Sequence, residues 1–190
     1  GGGGFIGVSL AKRLADTNDV VLCDLEFTRN AYAYASLDGH PNVQRVEADI
    51  LDGDALKRVC SGAAIVIHLA AVVGVQQVLM NTSRTLEVNI RGTQQVLDAI
   101  EPKDVERFVY LSTSEVYGSH AYDAVETAPT PVGPSEDPRW CYAASKVAGE
   151  HLVQSCHRER GLPTVILRPF NVFGPGRIGD HAILRFIFQA

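Results

Sequence analysis

The sequence predicts an α/β protein built on a doubly wound parallel sheet. Three observations carry that expectation. Short apolar clusters alternate with helical patterns, which is how strand–helix–strand units read in sequence. The clusters are unbroken rather than alternating, as in strands covered on both faces. A run of glycines opens directly into the first helical pattern.

The elements follow in order. Phe5 to Ala15 reads as the first helix, behind the glycine turn. Val20-Val21-Leu22-Cys23 is a buried strand ending at Asp24, and Val43 to Glu47 is a second strand. Asp54 to Cys60 is a short helix. Ala64-Ile65-Val66-Ile67-His68-Leu69 is rich in β-branched residues and reads as a strand. Thr85 to Ile100 carries Leu86, Ile90, Val96 and Leu97 on a helical repeat. Phe108 to Leu111 and Thr164 to Leu167 complete the strands. Trp140 to Arg160 is a long helix, stopped by Gly161 with Pro163 just beyond. Residues 118–138 hold Pro129, Pro131, Gly133, Pro134 and Pro138, a surface excursion of the kind that often touches substrate.

Composition bounds the function. The 190 residues are 46% hydrophobic and 21% charged, enough for a buried core, which excludes a disordered chain. There are 17 Lys+Arg against 22 Asp+Glu, a net charge of −5, which argues against a dedicated nucleic-acid binder. No apolar run reaches the roughly 18–20 residues of a membrane span, and no signal-peptide pattern is visible. The four cysteines are scattered and form no CxxC. A reduced, cytoplasmic protein with no membrane, disulfide framework or metal site is expected. The chain opens on a turn that normally follows a strand, and it closes in the apolar stretch Ile183 to Phe188, which reads as mid-helix. Residues 1–190 are therefore expected to be one domain, incomplete at both ends.

Gly1, Gly4 and Gly7 have the spacing G-x-x-G-x-x-G. Glycine permits a tight turn, close approach of backbone to a pyrophosphate, and close helix packing. The helix beginning at Phe5 and Ile6 would aim its N–H groups and positive dipole end at the phosphates. Asp24 follows 17 residues after Gly7, at the end of the next strand. A carboxylate there accepts both hydroxyls of an adenosine ribose and repels a 2′-phosphate, which favours NAD over NADP. Arg29 is a cation nearby in sequence. Taken alone, the glycine run reads equally well as a flexible linker; the rest of the pattern raises the cofactor reading above it.

Tyr142 and Lys146 are four residues apart, on one helix face. A free tyrosine, with a pKa of about 10, is a poor base at neutral pH. A neighbouring ammonium is expected to lower that value, so that the phenol can take a proton from a sugar hydroxyl as hydride leaves the same carbon. Leu111-Ser112-Thr113-Ser114-Glu115-Val116-Tyr117-Gly118 follows a strand, where ligands bind in open α/β sheets. Thr113 is the candidate partner for the same hydroxyl, and Glu115 a candidate acid or base at a neighbouring carbon. The bland alternatives are a surface Tyr–Lys pair, turn-capping hydroxyls and a solvated carboxylate. His68 reads as structural, His151 and His157 lack metal-ligand spacing, and Cys141 lacks an activating base.

With these motifs together, the chain resembles the extended short-chain dehydrogenase/reductase family in its nucleotide-sugar epimerase/dehydratase branch. The carrying residues are Gly1 to Gly7, Asp24, Asp49-Ile50, His68 to Ala71, Val88 to Thr93, Ser112 to Gly118, Tyr142 to Lys146 and Arg168 to Gly176. The resemblance implies a Rossmann-type sheet and roles by position. Gly1, Gly4 and Gly7 would hold the pyrophosphate of NAD, and Asp24 the adenosine ribose. Asp49 and Ile50 would flank the adenine. Leu69, Ala70 and Ala71 would line the cofactor groove, and Asn89 would support it. Thr113, Tyr142 and Lys146 would be catalytic hydroxyl, base and ribose-binding lysine. Pro169, Phe170 and Asn171 would lie beside nicotinamide and sugar, with Ser114 and Asn171 as substrate contacts. The family's first strand and its C-terminal substrate region are absent from this chain. Ser114 stands where dTDP-glucose 4,6-dehydratases have Asp, while Thr-Ser-Glu resembles GDP-mannose dehydratases and UDP-glucuronate decarboxylases. The implied chemistry passes through a 4-keto sugar, with 4-epimerisation favoured over 4,6-dehydration or decarboxylation. A related reductase or steroid-type dehydrogenase and a non-catalytic NAD-binding protein are the other readings. The family often forms homodimers through the long helix.

Overall fold

A computed structural model describes residues 1–27, 35–119 and 122–175. Arg29, Gly176 and the stretch 183–188 lie outside the described residues. The chain folds as two compact units, one of residues 1–47 with those from Asn171 onward, the other of residues 48–170.

In the first unit, α1 (Phe5–Leu14) leads into β1 (Val20–Asp24), which pairs in parallel with β2 (Val43–Glu47). Lys12 and Arg13 in the last turn of α1 oppose the helix dipole. Val8 and Ala11 on the inner face of α1 join Leu22, Phe27 and Leu37 in a small apolar core.

The second unit holds a parallel sheet in the order β3-β4-β5, formed by Ile65–His68, Arg107–Leu111 and Thr164–Leu167. Its first helix, α2 (Gly53–Cys60), starts where the Asp52 carboxylate accepts the N–H groups of Asp54 and Ala55. Then come α3 (Val75–Met80) and a continuous helical run, α4 (Thr82–Leu86), a π turn (Glu87–Arg91) and α5 (Gly92–Asp98). The long helix α6 (Trp140–Arg160) stops at Gly161, whose φ of 73° suits glycine. Arg160 caps the carbonyl ends of the preceding run, donating to Leu97 O at 2.9 Å and Ile100 O at 2.7 Å. Phe108 and Tyr110 of β4, Leu97, Ile100, Val153 and Leu162 are fully buried together.

The Rossmann-type parallel arrangement expected from the sequence is present, as one parallel sheet of two strands and one of three. Two details depart from the sequence reading. Strands expected to be covered on both faces are not, since Val21, Ile65 and Leu167 are 46%, 56% and 46% exposed. Finally, α3 was not foreseen: only Val78 of it is buried, so it carries no amphipathic stripe.

The excursion 122–138 is held at both ends. Gly118, at φ 75°, packs on Pro131, and Gly133 lies against the Trp140 indole at the start of α6. Closest of all is the approach of α6 to β4, where a Cβ on Gly149 would overlap the Tyr110 hydroxyl and ring. Gly149→Ala should therefore cost about 1–3 kcal/mol through displaced core packing. A lowered urea midpoint at unchanged m-value is the expected result, and an unchanged midpoint would show that α6 can retreat freely.

Candidate active site

The glycine turn lies flat along β1. Gly2 N–H donates to Cys23 O at 2.9 Å, and a Cβ on Gly2 would stand only 3.0 Å from Cys23 N. A Cβ on Gly7 would stand 2.6 Å from both Gly1 O and Gly2 O, so the first turn of α1 rests on the turn itself. Gly4 begins α1 without a capping side chain or an acid in the first turn, whereas α2 is capped by its own Asp52. The N-terminal dipole end of α1 thus carries no capping side chain and no first-turn acid of its own. Asp24 is fixed beside it. Gly3 N–H donates to Asp24 Oδ2 and Leu25 N–H to Oδ1, each at 2.8 Å. Each carboxylate oxygen keeps further acceptor capacity, enough for a ribose diol. These residues fit a dinucleotide whose adenosine ribose carries no phosphate.

In the second unit, Asp49 Oδ1 accepts Leu51 N–H at 2.9 Å and Oδ2 pairs with Arg84 at 3.6 Å. Ile50 packs under Gly92, where a Cβ would meet it at 2.9 Å. Leu69, Ala70 and Ala71 leave β3 half-buried. Asn89, projecting from the π turn, holds the residue that follows them. Its Oδ1 accepts Val72 N–H at 2.8 Å and its Nδ2 donates to Val72 O at 3.3 Å and to Ser145 Oγ at 2.9 Å. Ser145 Oγ donates in turn to Tyr142 O at 2.7 Å. One buried amide therefore joins the loop after β3 to the start of α6. A π turn in this position is of the kind that marks functional sites.

Thr113 caps the short helical turn Ser114–Tyr117, accepting Glu115 N–H at 3.3 Å. Ser114 N–H donates to Pro169 O at 2.9 Å, extending the β4–β5 ladder by one rung and setting Pro169 beside Ser114. The Thr113 hydroxyl and the Glu115 carboxylate both lie near enough to the Tyr142 phenol to act on its titration. Lys146, one turn along α6, is buried; its Nζ donates to Leu111 O at 2.7 Å and lies 4.9 Å over the Tyr110 ring. The structure thus brings Thr113, Glu115, Tyr142 and Lys146 together past the end of β4. Asn171 and Phe170 are exposed.

The expected effect of Lys146 on the phenol needs correction. Tyr142 is pushed up to about 12, by burial first and then by the Glu115 charge, against which the Thr113 hydrogen bond acts. The Lys146 ammonium is turned to Leu111 O and the Tyr110 face. Burial lowers Lys146 itself to about 8, while the Glu150 carboxylate raises it. Glu115 keeps solvent contact, yet its carboxyl is raised by the burial it has, with Arg139 acting the other way. His68 is structural, as expected: Nε2 pairs with Thr93 Oγ1 at 3.0 Å and burial holds the ring neutral. Burial raises the Cys141 thiol, which fits its lack of an activating base. The sequence reading did not single out the buried pair of Glu150 and Arg168 behind the site. Its only trace is an acid one helical turn beyond Lys146.

A parallel α/β fold with a glycine turn and a strand-end carboxylate defines a Rossmann-like protein. The sequence profile described as the NAD dependent epimerase/dehydratase family matches residues 1–190. The chain belongs to that family, whose cofactor is NAD. It is 34% identical to a dTDP-glucose 4,6-dehydratase of Streptomyces griseus, over 98% of this chain and 57% of that protein. It is 32% identical to a UDP-N-acetyl-alpha-D-glucosaminuronate decarboxylase of Bacillus cytotoxicus, over 100% of this chain and 59% of that protein. Among solved structures, UDP-glucuronic acid 4-epimerase from Bacillus cereus in complex with NAD superposes with a TM-score of 0.85 at 32% identity, covering 99% of this chain and 60% of that one. The chain therefore spans less than two thirds of the length of these relatives.

The lowered Lys146 value has a consequence for stability. The unfolded chain, titrating near the ordinary 10.5, binds a proton that the folded chain has released above about 8. Folding stability should thus rise with pH across that window. Measured without cofactor, wild-type stability should gain on Lys146→Met between pH 8 and 10.5. A constant difference would mean that Lys146 titrates normally.

Proposed function

We propose that residues 1–190 form the NAD-binding domain of an enzyme that acts on a nucleotide sugar through a 4-keto intermediate, with 4-epimerisation the favoured outcome. The observation that supports this reading is that Thr113 and Tyr142 lie near one another beyond the end of β4, with Lys146 one turn along the same helix face and its ammonium on Leu111 O. Gly1, Gly4 and Gly7, with the start of α1 at Phe5 and Ile6, take the pyrophosphate. Asp24 takes the adenosine ribose, and Asp49 and Ile50 flank the adenine. Leu69, Ala70, Ala71 and Asn89 form the groove. Tyr142, Lys146 and Pro169 serve the nicotinamide end, and Ser114 and Asn171 contact the sugar.

When bound, NAD supplies a hydride acceptor and a positive charge beside the carbon being oxidised. The chain's own residues handle the proton. Thr113 holds the C4 hydroxyl by hydrogen bonding, and Tyr142 removes its proton. Lys146 contributes a fixed ammonium one turn away. For epimerisation Tyr142 then returns the same proton to the C4 oxygen as the ketone is reduced on its opposite face, so no further acid–base side chain is needed.

A second reading rests on Glu115. Its raised carboxyl faces Tyr142, so it is placed to move a proton at a neighbouring carbon. That favours loss of water, as in the dehydratase relative, or loss of CO₂, as in the decarboxylase relative. Ser114, which supplies no carboxyl group, weighs toward epimerisation. A homodimer in the cytoplasm belongs to the same proposal; no helix among the described residues is long and apolar enough to cross a membrane.

The test is incubation of the full-length protein and NAD with UDP-, GDP- and dTDP-sugars. An inverted C4 centre at constant mass supports epimerisation. Losses of about 18 or 44 Da identify dehydration or decarboxylation. Tyr142→Phe should cut turnover by about 10²–10⁴-fold, the usual worth of a positioned acid–base group, while NAD still binds. Unchanged turnover in that variant rejects the mechanism.

A further inference from the structure

Glu150 is 7% exposed and fully engaged. Its Oε1 accepts from Ser112 Oγ at 2.5 Å and from Arg168 Nε at 2.8 Å, and its Oε2 accepts from Arg168 Nη2 at 2.6 Å. Arg168 also donates to Glu126 O at 3.0 Å and lies 5.0 Å over the Tyr117 ring. This one fork ties α6 to the ends of β4 and β5, to the turn holding Glu115, and to the excursion 122–138. Ser112 directly precedes Thr113. Along α6, Tyr142, Lys146 and Glu150 follow at four-residue intervals and so share a face.

We propose that Glu150 is a positioning residue: clamped by Arg168 and Ser112, its carboxylate keeps the Lys146 side chain charged and seated on Leu111 O. The catalytic consequence rests on the function proposed above; the electrostatic relation does not.

A buried ammonium tends to lose its proton unless an opposite charge faces it. The direct partners of Lys146 are a carbonyl and a ring face, which offer partial charges only. Among the described residues, the ionisable groups shown against it are His68 from β3, held neutral, Tyr110 from β4 and Glu150 on α6, with Tyr142 one turn back on the same helix face. Glu150 is the carboxylate whose charge acts on Lys146. A loose side chain would turn toward solvent, and the bidentate guanidinium prevents that. Arg168 is itself held protonated by this bond. Buried ion pairs add little net stability over apolar residues of similar volume, so what this pair contributes is a charge fixed in place.

The experiment follows the Lys146 side chain by NMR in lysine-labelled full-length protein without cofactor, the signal being assigned with Lys146→Met. Wild type should titrate near 8. In Glu150→Gln the midpoint should fall by about one pH unit or more, whereas Glu150→Asp, which keeps the charge, should stay near wild type. With cofactor and substrate, the alkaline limb of kcat should move with the midpoint while KM holds. If Glu150→Gln does not fold, the same substitution is made in an Arg168→Met background, where the midpoint should fall relative to Arg168→Met alone. A Lys146 midpoint unmoved by loss of the Glu150 charge overturns the proposal. A shifted midpoint in a protein that turns over no nucleotide sugar upholds the positioning of Lys146 and overturns the function instead.

Discussion

A buried ammonium governs the geometry of the second unit. Lys146 reaches Leu111 O only because α6 lies close against β4, and α6 lies close only because position 149 has no side chain to meet Tyr110. The same closeness brings Tyr142 to Thr113. Burial of a charge is costly unless it is paired and hydrogen-bonded, so helix, strand end and the Glu150–Arg168 fork answer to one requirement.

Apolar packing supplies adhesion but little direction. Two polar joints add direction to the packing of α6 on the sheet. Asn89 links the loop after β3 to the first turn of α6 through Ser145, and the Glu150–Arg168 pair links the second turn beyond to the ends of β4 and β5. The reacting side chains lie between these joints. Hydrogen bonds in a low-dielectric interior are strong and directional, so buried groups of this kind fix the register that packing leaves soft.

Much of this was legible in the sequence, for physical reasons that also show its limits. α6 has both ends marked, by its run of helical residues and by Gly161, and its observed bounds coincide with the expected ones. The strands declared themselves through β-branched clusters. The π turn did not, because inserting one residue into a helix leaves no compositional mark. α3 is too short and too exposed to show a period. The Tyr142–Lys146 spacing correctly placed both residues on one face, but it could not say where the ammonium points. Nor could it weigh burial, and that reversed the expected direction for the phenol. Glu150 escaped notice because an acid four residues from a lysine on a helix usually belongs to a solvated face; only the third dimension shows Arg168 and Ser112 closing over it.

The two shifts at the centre of the site have one cause and opposite signs. Burial favours the neutral form of each group, so it raises the phenol to about 12 and lowers the ammonium to about 8. As pH rises, Lys146 gives up its proton before Tyr142 does. A standing phenolate at neutral pH is therefore not how this arrangement can work. The phenol becomes a base only when further positive charge is placed beside it, and in the proposed reaction that charge is carried in with the dinucleotide. The Thr113 hydroxyl already acts against the rise. Holding Lys146 charged up to the edge of its range, through Glu150, keeps that cation in the proposed site before the charge of the dinucleotide is added.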